Sequence, residues 1–297
     1  AWLCKRRKNW PPQADVWRFR RNWPAEKERI QQDLLAATYE IGVLDRVTVL
    51  KDGKPDAADL WSARDAVVMK ALSLLFSQHL PLSEHCTHLK GYGGAKYAVR
   101  QVVEQLPNHQ FVLKTDVQSY YATIDHQLLL DRLALSIGDR DVVNLVAQYL
   151  RRCASWGGLY WDHRQGIALG CPLSPIIGAF FLRELDEALE KTGFFYLRFQ
   201  DDVLVLTPTR WTLRKAIKLV NQVLESLQLV KHPDKTYIGR TAKGFEFLGY
   251  SFSPDGLSVA KKTLEKFVAR CRRLYEQGRE EPERLSRLGD YVHRWLR

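Results

Sequence analysis

Two adjacent carboxylates, Asp201 and Asp202, lie between two apolar runs, Phe194-Phe195-Tyr196-Leu197-Arg198-Phe199 before them and Val203-Leu204-Val205-Leu206 after them. Two β-forming runs that meet at two acids read as a hairpin with the acids at its tip. Adjacent carboxylates beside a core repel each other and lose solvation, so both stay ionised only if cations compensate them. A divalent metal supplies that compensation. A third carboxylate, Asp116, ends another apolar strand-like run, Phe111 to Thr115. Three acids on neighbouring strand ends can hold two Mg²⁺ ions about 4 Å apart, an arrangement that serves in-line phosphoryl transfer. One ion lowers the pKa of a 3′-hydroxyl nucleophile and the other neutralises a departing pyrophosphate. Taken alone, the spacing leaves two readings open, a phosphoryl-transfer centre and a plain polar turn.

Other reactive residue types give weaker signals. His85, Cys86 and His88 are clustered, but a zinc site takes about four ligands and no second cluster accompanies them. The five cysteines are scattered, odd in number and without a C-x-x-C pair, which reads as a reducing, cytoplasmic compartment. Gly91-Tyr92-Gly93-Gly94-Ala95-Lys96 lacks the spacing of a phosphate-binding P-loop and reads as a glycine-rich loop. Asp125-His126 reads as a helix start with Asp125 as the cap.

The elements that must carry these residues form an α+β mixture with mostly antiparallel strands. Strands are expected at Arg46 to Lys51, before an Asp52-Gly53 turn, at 111–117, on both sides of Asp201-Asp202, and as a short pair around Gly249 from Phe245 to Phe252. Helices are expected at 63–78, with Val67, Leu74 and Leu75 among the apolar positions, at 96–106, 126–135 and 140–152. Trp156 to Leu169 reads as a hairpin turning at Gly157-Gly158. One helix should run from Pro172 and Pro175 to about Lys191 with Ser174 as cap. Trp211 to Leu227 is amphipathic, with Leu213, Ile217, Val220, Leu224 and Leu227 as its buried stripe.

The chain of 297 residues carries a net charge of +11, with 45 Lys and Arg against 34 Asp and Glu. That excess sits at the two ends, +6 within residues 1–29 and +5 within residues 257–297, so the segment between them is neutral. Both ends also carry aromatics, Trp2, Trp10, Trp17, Phe19 and Trp23 at one and Tyr275, Tyr291 and Trp295 at the other. Basic groups neutralise phosphates and flat rings stack on bases, so the ends point to a nucleic-acid partner. Hydrophobic residues make up 45% and charged residues 27%, which excludes a disordered or fibrous chain. No apolar run reaches the roughly 20 residues of a membrane span, and no apolar stretch follows Lys5 to Lys8 as a signal peptide would require. A membrane partner is therefore not expected.

Several ordered blocks resemble the bacterial reverse transcriptases of the group II intron-like kind, over roughly residues 40–255. Arg198-Phe199-Gln200-Asp201-Asp202 resembles that family's R-Y-A-D-D hairpin, and Asp116-Val117-Gln118-Ser119-Tyr120-Tyr121 its first acidic motif. Gly170-Cys171-Pro172-Leu173-Ser174-Pro175 resembles the Q-G-x-x-x-S-P segment, His232 to Thr236 the late motif ending in Lys-Thr, and Phe247-Leu248-Gly249-Tyr250 the F-L-G-Y primer grip. Arg46 to Lys51 and Arg64-Asp65 resemble a fingers strand and the R-D block after it. Any one block is weak, whereas their shared order is not expected by chance.

The resemblance implies a right-hand fold. A basic aromatic extension would occupy 1–30, fingers 31–110, a palm 111–256 with a fingers-contributed segment near 138–170, and a short helical thumb 257–297. It implies RNA-directed DNA polymerase activity that extends a 3′-hydroxyl primer of DNA or RNA with dNTPs on an RNA template. Asp116, Asp201 and Asp202, with the Val117 carbonyl, would bind two Mg²⁺, for which Mn²⁺ can substitute. Tyr121 would exclude ribonucleotides, and Lys51, Lys54, Arg64 and Lys235 would balance the triphosphate. Gly170, Pro172 and Gln200 would contact template or primer, and Phe247 to Tyr250 would grip the primer. The departures are Phe199 for Tyr, Gln200 for Ala, Leu169 for Gln, Ala179 for Asn, and no arginine shortly after Lys54. They motivate two rivals: untemplated or protein-primed DNA synthesis of the phage-defence kind, and a maturase-like RNA binder without catalysis. A structured non-coding RNA is a further partner compatible with the short C-terminal segment.

Overall fold

The computed structural model describes residues 1–51, 54–279 and 285–296, with the backbone alone at 49–51, 54–56, 278–279 and 285. Three helices open the chain: α1 (Trp2–Arg6), α2 (Asp15–Arg21) and α3 (Trp23–Leu35). Then come β1 (Leu44–Lys51), β2 (Lys54–Leu60), α4 (Ala63–His79), α5 (Gly94–Gln105), β3 (Phe111–Thr115), α6 (Tyr120–Thr123), α7 (His126–Ser136) and α8 (Arg140–Leu150). A hairpin of β4 (Cys153–Trp156) and β5 (Leu159–Asp162) precedes α9 (Ser174–Phe181) and α10 (Arg183–Glu190). The hairpin β6 (Phe195–Phe199) and β7 (Asp202–Thr207) leads to α11 (Arg210–Ser226) and β8 (Tyr237–Arg240). The chain continues with β9 (Phe245–Phe247), β10 (Tyr250–Ser253), β11 (Gly256–Val259), α12 (Lys261–Arg279) and α13 (Leu285–Leu296).

Capping residues explain several of these starts. Asp125 accepts the Leu128 amide at 2.8 Å, and Thr209 with Thr212 forms a capping box at the head of α11. Arg7 is buried and ties the N-terminal helices to the body, donating to the Trp61 carbonyl at 2.6 Å and to Asp15 at 3.2 Å.

The strands form three sheets, ordered β2-β1-β4-β5, β6-β7-β3-β8 and β11-β10-β9. In the second, every neighbouring pair is antiparallel. β7 is buried on both faces from Val203 to Thr207, which is why its sequence is a continuous apolar run without alternation. Val203 and Val205 join the large core with residues of α9, α10 and α11. Leu204 and Leu206 face a smaller core made with Ala98, Val99 and Val102 of α5 and Phe245, Phe247 and Phe252 of the third sheet. Cores on both faces hold this sheet in place and leave the acids at the end of its strands.

Two local expectations are corrected and a third gains detail. The helix expected from 172 to 191 is two helices, because the chain bends at Leu182. Ser174 is not a cap. It lies inside the first turn, is buried, and its hydroxyl bonds the Tyr149 hydroxyl at 2.7 Å and the Ala168 carbonyl. In α4, Leu74 and Leu75 face solvent while Val68, Met69, Leu72 and Phe76 are buried; apolar residues surround this helix, so periodicity did not select its inner face. The Asp52-Gly53 turn lies outside the described residues.

Candidate active site

Strand register brings the three acids together. Phe199 pairs with Asp202 across the β6–β7 hairpin, and Thr115 pairs with Val203 across β3–β7. One step further along that second register sets Asp116 opposite Asp202. Asp116 is buried, and Asp201 and Asp202 are half-buried. Burial, then Asp116 and Asp201, push the Asp202 carboxyl up to about 6. Burial and Asp116 also raise Asp201. The cation nearest at hand is Lys235, whose Nζ donates to Asp116 Oδ2 at 2.9 Å and whose own pKa is raised by that bond. Lys235 follows a segment bound to the Asp116 backbone: the His232 amide donates to the Asp116 carbonyl at 2.7 Å, and the Gln118 amide to the Val230 carbonyl at 2.8 Å. Val117, between them, is buried. Among the described residues, no three carboxylate, imidazole or thiol groups already converge as metal ligands. The donor set is nevertheless hard oxygen on clustered carboxylates, which suits Mg²⁺ or Mn²⁺, and an ammonium already stands as the cation on Asp116.

A buried ion pair braces the hairpin that carries two of these acids. Arg198 and Asp186 are each 1% exposed. Arg198 Nε donates to Asp186 Oδ1 at 2.9 Å and a second bond runs from Nη2 to Oδ2. Burial opposes charge on the guanidinium, but Asp186 outweighs it and holds Arg198 above its ordinary pKa. The remaining donors reach the Gln200 carbonyl at 2.9 Å and the Ala179 carbonyl at 3.0 Å. Sequence reasoning passed over Arg198 and Asp186, although a charged residue inside an apolar strand must find a buried partner.

The cluster His85-Cys86-Thr87-His88 meets the same strand. The Arg198 amide donates to the His85 carbonyl at 2.9 Å and the Thr87 amide to the Arg198 carbonyl at 2.8 Å, so the loop adds to the free edge of β6. Burial pushes the Cys86 thiol up to about 11 and lowers His88 to about 4.

Beside the acids lies a cleft of about 700 Å³ lined by Tyr121, Gly170, Pro172, Gln200 and Asp201. Tyr121 is half-buried and its hydroxyl has no hydrogen-bond partner. Burial and Asp201 raise its pKa. Its carbonyl accepts the Ile167 amide at 2.7 Å, a close approach that requires Gly166, where an added Cβ would meet that carbonyl oxygen at 2.7 Å. Trp2, Arg6 and Lys70 also line the cleft, and sequence reasoning had placed none of them there. Leu169 stands at its rim, 77% exposed.

The other expected site residues lie apart. Arg64 pairs with Asp33 of α3 and packs on the Tyr39 ring, 5.3 Å from its centroid. Its neighbour Asp65 is buried and accepts the Tyr39 hydroxyl at 2.8 Å and the Ser62 hydroxyl at 2.7 Å, fixing the head of α4. The side chains of Lys51 and Lys54 lie outside the described residues. Phe247 is buried in the smaller core, Leu248 and Gly249 turn the chain with positive φ, and Tyr250 is half-buried.

Comparisons with known proteins bear on the fold that carries these acids. A family model described as reverse transcriptase (RNA-dependent DNA polymerase) matches residues 64–252. Protein YkfC of Escherichia coli (strain K12) is 25% identical over 271 residues, covering 76% of this chain and 70% of that protein. A solved telomerase from Candida albicans, in complex with a fragment of telomeric RNA, superposes with a TM-score of 0.58 at 13% identity. That match covers 76% of this chain, which spans 46% of the telomerase chain.

Proposed function

The chain belongs to the reverse transcriptase family of RNA-directed DNA polymerases, with an α+β right-hand fold, and from that premise we propose that it extends a 3′-hydroxyl primer with dNTPs on an RNA template. Asp116, Asp201 and Asp202, with the Val117 carbonyl, would hold two Mg²⁺ ions, for which Mn²⁺ can substitute. Metal charge there would supply a lowered pKa for the primer hydroxyl and compensation for the departing pyrophosphate. The observation that carries this reading is the register that sets Asp116 opposite Asp202 beside the Asp201 turn.

The remaining roles belong to this chain's own side chains. Lys235 would turn its ammonium from Asp116 to the triphosphate, a short move for a side chain that is 53% exposed. Lys51, Lys54 and Arg64 add positive charge there, Arg64 after parting from Asp33. The Tyr121 ring excludes a ribose 2′-hydroxyl by its bulk. Gly170, Pro172 and Gln200 meet template and primer along the cleft, and the Leu248-Gly249 turn grips the primer. In this reading residues 31–110 are fingers, 111–256 palm with 138–170 lent by the fingers, and 257–297 thumb. The basic ends, residues 1–30 among them, hold the duplex or a structured RNA by contacts indifferent to sequence.

Primer extension tests the proposal. With RNA template, DNA primer, dNTPs and Mg²⁺, the wild-type chain makes full-length copies and the Asp201→Ala, Asp202→Ala variant makes none. Equal blanks from both proteins reject it. The exposed Leu169 at the cleft rim, where an amide would hold template or nucleotide, favours a second reading, DNA synthesis without a template. Products whose sequence ignores the supplied RNA would establish that reading instead.

A further inference from the structure

Gln200, the residue before the acid pair, has φ +57°. An L side chain seldom adopts that left-handed conformation; the two-residue β6–β7 turn calls for it, and contacts from outside the turn help to hold it. Both of its backbone polar groups are held. Its carbonyl accepts Arg198 Nη1 at 2.9 Å, and its amide donates to His88 Nδ1 at 3.1 Å. His88 belongs to a loop more than a hundred residues away in the chain. Because Nδ1 accepts, the ring proton sits on Nε2, which donates to the Pro175 carbonyl at 3.2 Å in the first turn of α9. The ring also meets the edge of Phe199, with centroids 5.9 Å apart, and Cys86 Sγ lies 3.4 Å from Nδ1. The His88 backbone has little freedom, since residues 85–87 are bonded to β6 and the Gly94 amide donates to the Thr87 carbonyl at 2.9 Å.

We propose that His88 is a positioning residue of the polymerase site: a neutral imidazole that locks the Gln200 peptide in its left-handed turn and ties that turn to the α9 end of the cleft. The inference rests on the catalytic reading of Asp201 and Asp202. Without the imidazole, only hairpin closure and Arg198 hold Gln200 at its positive φ, the peptide before Asp201 gains freedom, and both acids spend less time in the register that faces Asp116. The loss then falls on the chemical step, because the cleft walls made by Tyr121 and Pro172 are untouched.

The test uses the full chain and five proteins: wild type, His88→Ala, His88→Asn, Gln200→Gly, and His88→Ala combined with Gln200→Gly. Single-turnover extension should fall by about a hundredfold in His88→Ala, the scale of a misplacement near 1 Å, with the dNTP KM within about threefold of wild type. Asn can place an acceptor where Nδ1 stood, so His88→Asn should recover most of the rate. Glycine adopts positive φ without strain, so His88→Ala should cost little in the Gln200→Gly background, whatever Gln200→Gly alone does to primer contact, and this counts as rescue. A merely packing role predicts no rescue by either change, and that result overturns the proposal. Amide hydrogen exchange across residues 195–207 gives a readout without polymerisation. Exchange should quicken in His88→Ala and return to the wild-type rate in His88→Asn. Unchanged exchange in His88→Ala refutes the lock even if polymerisation is confirmed. Quickened exchange in a protein whose wild type extends no primer keeps the lock and rejects the catalytic reading beneath it.

Discussion

Two groups of carboxylates lie close together in this fold and are treated in opposite ways. Asp186 is buried against Arg198, which meets it with two donors and holds its own charge with the help of that contact. Asp201 and Asp202, at the tip of the hairpin whose β6 strand carries Arg198, are half-buried; burial raises their carboxyls as it raises Asp186, and Asp116 raises them further. Arg198 lowers Asp201 somewhat, but its donors are committed to Asp186, Ala179 and Gln200. Lys114 and Lys235 lower Asp202 only in part, and Lys235 spends its bond on Asp116. A carboxylate whose task is structural is thus neutralised from within the chain. The acids assigned to chemistry are left short of cations, and that shortage is a standing attraction for a divalent ion.

The largest effect should come from breaking the built-in pair. Asp186→Asn leaves a buried guanidinium without its counter-charge and should lower unfolding stability by about 3–5 kcal/mol. Denaturant titration of the purified variant measures this. The double variant Asp186→Leu, Arg198→Met should regain most of the stability, since apolar replacements of buried ion pairs are often neutral. It should still extend primers more slowly than wild type, because nothing then holds the Gln200 carbonyl. A double variant as active as wild type would show that Arg198 serves stability alone.

How much of this contrast is legible in the sequence depends on range. The tip acids are legible because the two apolar runs that flank them form one local hairpin. Asp125 and Trp211 to Leu227 are legible for the same reason, since a cap and an amphipathic stripe are written within a few residues. The sheet order is not, because β3 lies between β7 and β8, strands far apart in the chain. Neither is the edge formed by residues 85–88, nor the pairing of Arg198 with Asp186 across two elements. Local periodicity carries no information about such partners. Ser174 fails at short range for another reason: a serine beside two prolines fits a cap, but the Tyr149 hydroxyl and the Ala168 carbonyl offer its hydroxyl buried partners.

A smaller effect sharpens the other half of the comparison. In the metal-free protein the folded Asp202 carboxyl has a pKa of about 6, above the unfolded value near 3.9. The folded state therefore binds the proton more tightly, and the stability this lends is full below about pH 4 and lost as pH rises through about 6. Burial sets that direction first; of the charged groups that face Asp202, Asp116 and Asp201 add to it and Lys114 and Lys235 oppose it. Asp202→Asn removes the titration. In EDTA, its melting temperature should match wild type near pH 4 and exceed it by a few degrees, about 2–4 °C, above pH 6.5. Millimolar Mg²⁺ at neutral pH should raise wild type and leave the variant nearly unmoved. An advantage that is the same at both pH values would mean Asp202 is not short of a cation.

The smallest expected effect concerns the wall beside the acids. Tyr121 rests on Gly178 of α9, where an added Cβ would stand 3.0 Å from Tyr121 Cε1 and 3.4 Å from Tyr120 Cε1. Tyr120 cannot yield easily, because it is buried and its hydroxyl donates to the Gly178 carbonyl at 2.5 Å. Tyr121 has room to give way, since its ring borders the open cleft and its hydroxyl is bonded to nothing. Gly178→Ala should therefore push the Tyr121 ring a few tenths of an ångström toward the bound sugar. If Tyr121 excludes ribonucleotides by bulk, the dNTP KM should rise a few-fold, about two- to fivefold, while discrimination against ribonucleotides stays the same or tightens. Tyr121→Ala should reverse the second effect, and in that background Gly178→Ala should change little. A Gly178→Ala enzyme that accepts ribonucleotides more readily would show that the ring swings out of the cleft, so that sugar selection rests on some other wall.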